Sequence, residues 1–143
     1  MAGPKRVLIL CTGNSARSQM AEGLLRHDGG PGFEVYSAGV RPTSVRPEAV
    51  AAMREVGMDI SAHRSKSAEE FEGQPFDYII TVCDNAKEQC PVYPAVTRRV
   101  HWSFDDPAEA GGDFAASLQV FRRVRDEIRA RLREFVAAEP GPE

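Results

Sequence analysis

The sequence predicts an α/β fold, an open four-stranded, mostly parallel sheet with helices on both faces. Three observations predict it. Residues 7–10 are an unbroken apolar run of strand length and residues 78–82 are apolar but for Thr81, the pattern of strands buried on both faces. Apolar stripes at helical spacing lie between and after them, so strand-like and helix-like segments alternate along the chain. The 143 residues, 42% of them hydrophobic, can bury one sizeable core and leave no room for two ordinary domains, so residues 1–143 read as a single domain.

The first strand, residues 7–10, ends at Cys11 and delivers it to a loop. Met20, Ala21, Leu24 and Leu25 then recur at helical spacing, and Gly29, Gly30, Pro31 and Gly32 stop the helix. Residues 33–37 alternate as a second strand. Pro47 suits a first helical turn, with Val50, Met53 and Val56 as the apolar stripe and Gly57 as the stop. Residues 78–82 make the third strand, residues 86–90 a short helix closed by Pro91, and residues 99–102 the fourth strand. The last helix carries Phe114, Leu118, Phe121, Val124, Ile128, Leu132 and Phe135 on one continuous face, expected to dock on the sheet. Its other positions hold six arginines, Arg122, Arg123, Arg125, Arg129, Arg131 and Arg133. Asp126, Glu127 and Glu134 interrupt them, which favours a solvated face over a phosphate patch. Residues 137–143 are small, acidic and proline-containing, and are expected to form a disordered tail.

Composition excludes several classes of function. Net charge is -3 with acids and bases interspersed, so neither a nucleic-acid surface nor a polybasic membrane anchor is expected. The apolar run after Arg6 stops at Cys11, too short for a signal peptide or a membrane span, so the chain reads as soluble and cytoplasmic. Three cysteines is an odd number in a compartment that disfavours standing disulfides, and each therefore needs its own explanation.

Cys11-Thr12-Gly13-Asn14-Ser15-Ala16-Arg17-Ser18 joins the first strand to the first helix. Small residues let successive N–H groups turn inward as an anion nest, and the helix presents its positive end to the same point. Arg17 adds a planar fork able to hold two oxygens of an anion at once. The same field favours the thiolate of Cys11, its nucleophilic form, and the Ser18 hydroxyl is placed to stabilise it. The plainer reading, an inert thiol at a strand end and a surface arginine, leaves the spacing of cysteine, arginine and serine unexplained.

Attack by a thiolate expels an oxygen leaving group, which departs more readily when an acid protonates it. Asp105 and Asp106 both qualify, in Phe104-Asp105-Asp106-Pro107 just after the fourth strand, at the sheet edge where Cys11 lies. Cys83 ends the third strand, beside the first in a doubly wound sheet, and Cys90 follows seven residues later. If residues 83–90 were helical, those two would stand about 10.5 Å apart along the axis, whereas a disulfide needs Cα atoms within roughly 7 Å. A Cys83–Cys90 bond therefore requires the segment to unwind, and Asp84, Asn85 and Pro91 mark it as weakly anchored and redox-labile. A zinc site with His101 lacks the paired spacing such sites use, so no metal is expected. His27 and His63 read as ordinary solvated histidines.

Taken together these residues resemble a known family, the thioredoxin-coupled arsenate reductases built on the low-molecular-weight tyrosine phosphatase fold. The likeness rests on residues 11–15 and 17–22, on Tyr36-Ser37-Ala38-Gly39, on Cys83 and Cys90-Pro91, and on His101-Trp102 with Phe104-Asp105-Asp106-Pro107. It implies a cytoplasmic monomer that detoxifies arsenate, binds phosphate or sulfate as mimics, and holds no cofactor. It also implies Cys11 as nucleophile, Asp106 rather than Asp105 as acid, Cys83 and Cys90 as resolving thiols, and thioredoxin as the source of electrons. Two departures stand out: Ala16 replaces a second loop cysteine found in many relatives, and Lys66 replaces an aspartate. In some relatives that aspartate joins residues matching Asn14, Glu22 and Ser37 in binding potassium, so no potassium requirement is expected here. The competing readings are a tyrosine phosphatase, which needs only Cys11, and a noncatalytic oxyanion-binding thiol sensor, which needs neither Asp106 nor the relay. Ala108-Glu109-Ala110 stand where such phosphatases carry aromatic residues after Asp-Pro.

Overall fold

Four strands, β1 (Lys5–Cys11), β2 (Phe33–Gly39), β3 (Tyr78–Thr81) and β4 (Arg98–His101), form one sheet in the computed structural model, which describes residues 4–82, 98–107 and 111–138. All pairings are parallel, and the spatial order is β2-β1-β3-β4. From β1 the chain steps outward to β2 and then returns across β1 to β3. The winding direction therefore reverses beside β1, and open sheets of this kind bind ligands at such a point, beyond the carboxyl ends of the strands. Cys11 is the last residue of β1 and pairs with Gly39 at the end of β2.

The helices are α1 (Arg17–Gly29), α2 (Pro47–Arg54) and α3 (Phe114–Ala138), and they pack against one another. Val7, Leu8, Ile9 and Leu10 are wholly buried, as the apolar run requires of a central parallel strand. Along β2 the side chains alternate: Ser37 turns to Glu22 of α1, whereas Tyr36 turns the other way, onto Phe71 and Phe76. Phe71 closes a short 3-10 helix, Ala68–Phe71, so helical cover reaches that second face too. No described helix is long and apolar enough to cross a membrane.

Several elements differ from expectation in detail. In α2 the buried face is Glu48, Ala49, Ala52 and Met53, while Val50 and Val56 are only partly covered, because the small alanines admit close approach of α3. The α3 stripe docks mainly on α1 and α2 and reaches the sheet at its far end. Phe114 at its start is 51% exposed, whereas Phe135 near its end reaches the rings of Phe33, Tyr78 and Trp102. Arg125 is not solvated but buried, donating to the Ala52 carbonyl at 2.8 Å and to Glu55 at 3.0 Å, so it caps the end of α2 from α3. Helix α3 also continues through Ala137 and Ala138, where a disordered tail was expected. Residues 139–143, the expected helix at 86–90, Cys83, Cys90 and the redox-labile segment lie outside the described residues.

One ion pair ties the end of α1 to α3. The Arg129 guanidinium donates to both oxygens of Asp28, at 2.9 and 3.0 Å, and Arg133 approaches at 3.5 Å. Hydrogen bonding from Arg129 holds the Asp28 carboxyl down to about 2, against an ordinary 3.8. The unfolded chain therefore takes up a proton before the folded one does, and the stabilisation, full above pH 4, is lost as pH falls toward 2. Asp28→Asn should cost about 1–2 kcal/mol at pH 7. Urea denaturation of both proteins should show that gap closing as pH drops below about 4.

Candidate active site

The site is built on the five peptide groups that follow β1. The carbonyl of Cys11 accepts from the N–H of Val40 at 3.3 Å, that of Thr12 from Arg41 at 2.8 Å, that of Gly13 from Thr43 at 3.1 Å and that of Ser15 from Arg46 at 2.9 Å. The Asn14 carbonyl accepts from the Ser65 hydroxyl at 2.7 Å and from the Gln19 amide at 3.1 Å. In a planar trans peptide the N–H points opposite to the C=O. With these carbonyls held outward, the N–H groups of residues 12–16 are turned inward. The helix start follows at once, Ala16 accepting from Met20 at 2.9 Å, so the positive end of α1 faces the same space.

Two positions make the curve possible. Asn14 adopts φ of 50°, a left-handed conformation that asparagine tolerates better than most residues. Its buried side chain donates to Ser18 at 2.8 Å and Ser37 at 3.0 Å, and accepts from Gln19 and from the Lys66 N–H, both at 2.9 Å. Gly39 supplies clearance: a Cβ there would lie 2.7 Å from the Thr12 oxygen and 2.8 Å from the Asn14 nitrogen.

Cys11, Thr12, Gly13, Ser15, Ala16, Arg17, Thr43 and Asp106 line a cavity of about 190 Å³. Arg17 opens α1 and is only 8% exposed. Its Nη1 donates to the Phe104 carbonyl at 3.1 Å, its Nη2 stands 3.5 Å from Asp106 Oδ2, and its buried Nε has no partner. A buried N–H without an acceptor is costly, and on a residue that lines the cavity it is a donor available to a ligand oxygen; Arg46 Nε, away from this cavity, is unpartnered in the same way. The two candidate acids separate here. Asp106 lines the cavity, whereas Asp105 turns out to Arg123 of α3 at 3.1 Å.

Behind the loop is a second layer of charge. Ser37 donates to Glu22 at 2.5 Å, and around Glu22 stand Arg26 at 3.0 Å, His63 at 3.8 Å and Lys66 at 3.8 Å. Burial pushes the Lys66 ammonium below the usual lysine value, opposed by Glu22. The oxygens that the family resemblance would assign to potassium are thus already engaged: Asn14 with Gln19 and Lys66, Ser37 with Asn14 and Glu22, Glu22 with a lysine ammonium. This donor set does not suit a potassium ion.

His63 is the clearest departure from the sequence reading, since it is largely enclosed rather than solvated. Gln19 spends its amide hydrogens on Asn14 and on the Arg64 carbonyl, so its Oε1 is the acceptor for His63 Nδ1 at 3.0 Å. Burial pulls the imidazole below its ordinary value, with Glu22 opposing. Thr43 was also missed; it sits in an irregular Pro-Thr-Ser stretch with no pattern to single it out. His27, by contrast, is exposed beside Asp28, as expected.

Over residues 6–139 the chain matches the family model described as low molecular weight phosphotyrosine protein phosphatase. An arsenate reductase of Halalkalibacterium halodurans is 47% identical over 137 residues, 96% of this chain and 97% of that protein. Among solved structures, an arsenate reductase in the phosphate binding state superposes with a TM-score of 0.75 at 36% identity, covering 93% of this chain and 97% of the other. A thioredoxin-dependent arsenate reductase of Corynebacterium glutamicum gives a TM-score of 0.70 at 27% identity, covering 95% of this chain and 61% of that one.

The clearance at Gly39 yields a direct test. In Gly39→Ala the new methyl must push residues 12–14 away from β2, at a cost of about 1–3 kcal/mol. Phosphate titration by calorimetry should show affinity at least about tenfold weaker, because the inward N–H groups lose their alignment.

Proposed function

The chain belongs to the low-molecular-weight phosphotyrosine protein phosphatase family, and on that footing we propose that it is an arsenate reductase drawing two electrons from thioredoxin. The observation that carries the reading is the buried, unpartnered Arg17 Nε on the wall of a small cavity that also holds Cys11 and Asp106. The inward N–H groups and the Arg17 fork suit a doubly charged tetrahedral anion. Relatives matching nearly the whole chain are arsenate reductases, and one similar structure is thioredoxin-dependent.

In the proposed reaction the Cys11 thiolate attacks arsenic while Asp106 gives its proton to the departing oxygen, which leaves as water and creates a sulfur–arsenic bond. Ser18 accepts from Asn14 and so keeps its own hydroxyl proton to donate to the Cys11 thiolate. Cys83 then attacks the sulfur of Cys11. The sulfur–arsenic bond breaks, its electron pair stays on arsenic, As(V) becomes As(III), and a Cys11–Cys83 disulfide forms. Cys90 attacks Cys83 and releases the Cys11 thiolate, and thioredoxin reduces the resulting Cys83–Cys90 disulfide. The roles of Cys83 and Cys90 rest on the sequence and on the family resemblance. In a cell this reaction is the reducing step of arsenic detoxification.

Hydrolysis of aryl phosphates is the expected side reaction, since phosphate shares the shape and charge of arsenate and its cleavage needs only Cys11, Arg17 and Asp106. The decisive assay couples arsenate-dependent NADPH oxidation to thioredoxin and its reductase, beside aryl phosphate hydrolysis. Cys83→Ser should lose the first to background and keep the second, and Arg17→Lys should lower both by about 10²–10³. A Cys83→Ser protein that still turned over arsenate would sink the relay. The Lys66 geometry adds a second expectation. Turnover should be equal in sodium and potassium buffers of the same ionic strength, and a potassium stimulation would contradict it.

A further inference from the structure

The acid Asp106 sits in a short irregular stretch, residues 102–106, that follows β4. What fixes its position matters, because proton transfer depends on a donor–acceptor distance held to a fraction of an ångström. One fastener is Arg17, which donates to the Phe104 carbonyl and faces Asp106. Arg17 is also the side chain that must hold the anion, so its fork is shared between ligand and acid loop when the site fills.

A second fastener comes from outside the cavity. Arg123 on α3 donates through Nη2 to Asp105 Oδ2 at 3.1 Å and through Nη1 to Glu127 Oε2 at 2.9 Å. Glu127 lies one turn further along the same helix, so it presets the guanidinium that receives Asp105. The helix itself is anchored to the body by Arg125 on Ala52 and Glu55 and by Arg129 on Asp28. Neighbouring carboxylates are thereby divided between two partners: Asp105 is drawn outward to α3, and Asp106 remains over the cavity.

Resting on the arsenate-reduction reading, we infer that Arg123 is a positioning residue for the acid step, its pair with Asp105 fixing where Asp106 stands above Cys11. Both partners are substantially solvent-accessible, with side chains 49% and 75% exposed, so the effect is a modest one. An exposed pair of this kind supports a change of about two- to fivefold in rate.

The test is single-turnover arsenite formation by the pre-reduced full chain at saturating arsenate. Arg123→Gln and Asp105→Asn should each slow it about two- to fivefold, with the arsenate concentration for half-maximal rate unchanged. Their combination should be no slower than either alone, and Arg123→Lys should recover most of the rate. The distinguishing measurement uses Asp106→Asn as background: there Arg123→Gln should have no further effect, because it acts only through the acid. A wild-type rate in Arg123→Gln and Asp105→Asn, or the same slowing by Arg123→Gln with and without Asp106, overturns the inference. Failure of the underlying reading looks different, as wild type would form no arsenite or Asp106→Asn would match it. If Arg123→Gln does not fold, Asp105→Asn carries the test from the other side of the pair.

Discussion

Everything at this site depends on keeping five consecutive carbonyl oxygens away from the anion. A loop of small residues has no preference for turning its N–H groups inward, because an amide dipole is satisfied in either sense. The bias comes from residues 40–46 and Ser65, which lie outside the loop and take up its oxygens one after another. An anion nest in this chain is therefore a tertiary feature, a curve imposed by the segment that follows β2. Gly39, at the end of β2 where that segment begins, leaves no room for a side chain against the loop.

Charge behind the loop follows the same logic at longer range. The Asn14 amide must be held in one orientation to link Ser18, Ser37, Gln19 and the Lys66 backbone. Glu22 fixes Ser37, and its own charge is balanced by Arg26 and Lys66. A mobile cation in that place would be exchanged with solvent, whereas a lysine is covalently present and dependent on no external concentration. The cost is burial of an ammonium group, visible in the lowered affinity of Lys66 for its proton.

Much of this was legible in the amino-acid order, for identifiable reasons. The apolar run at residues 7–10 permits little but a central strand, and the spacing of Cys11, Arg17 and Ser18 fixes a loop and a helix start. Asp105 and Asp106 could not be separated by their own spacing, since adjacent residues in irregular backbone carry no periodic signal. Arg123, a tertiary partner 18 residues away, draws Asp105 outward. His63 was misread because its enclosure arises from Gln19 and Glu22, both on α1 and more than 40 residues earlier. The arginines of α3 looked solvated because a helical wheel shows only which face is polar. It cannot show that α2 ends beside Arg125 with a carbonyl to be satisfied.

The all-parallel sheet has one further consequence, which concerns the order of synthesis. Cys11 leaves the ribosome early, but the residues that surround its loop come later: Gly39 and Arg46, then Lys66, and Asp106 near the end. The strand beside it on the other flank is β3, so residues 7–10 wait for residues 78–81 before the centre of the sheet can close. Long-range closure of this kind is slow compared with helix formation. Until it happens the segment that takes up the loop's carbonyl oxygens has no settled body to run along, so a nascent or truncated chain does not yet hold the inward-facing N–H groups.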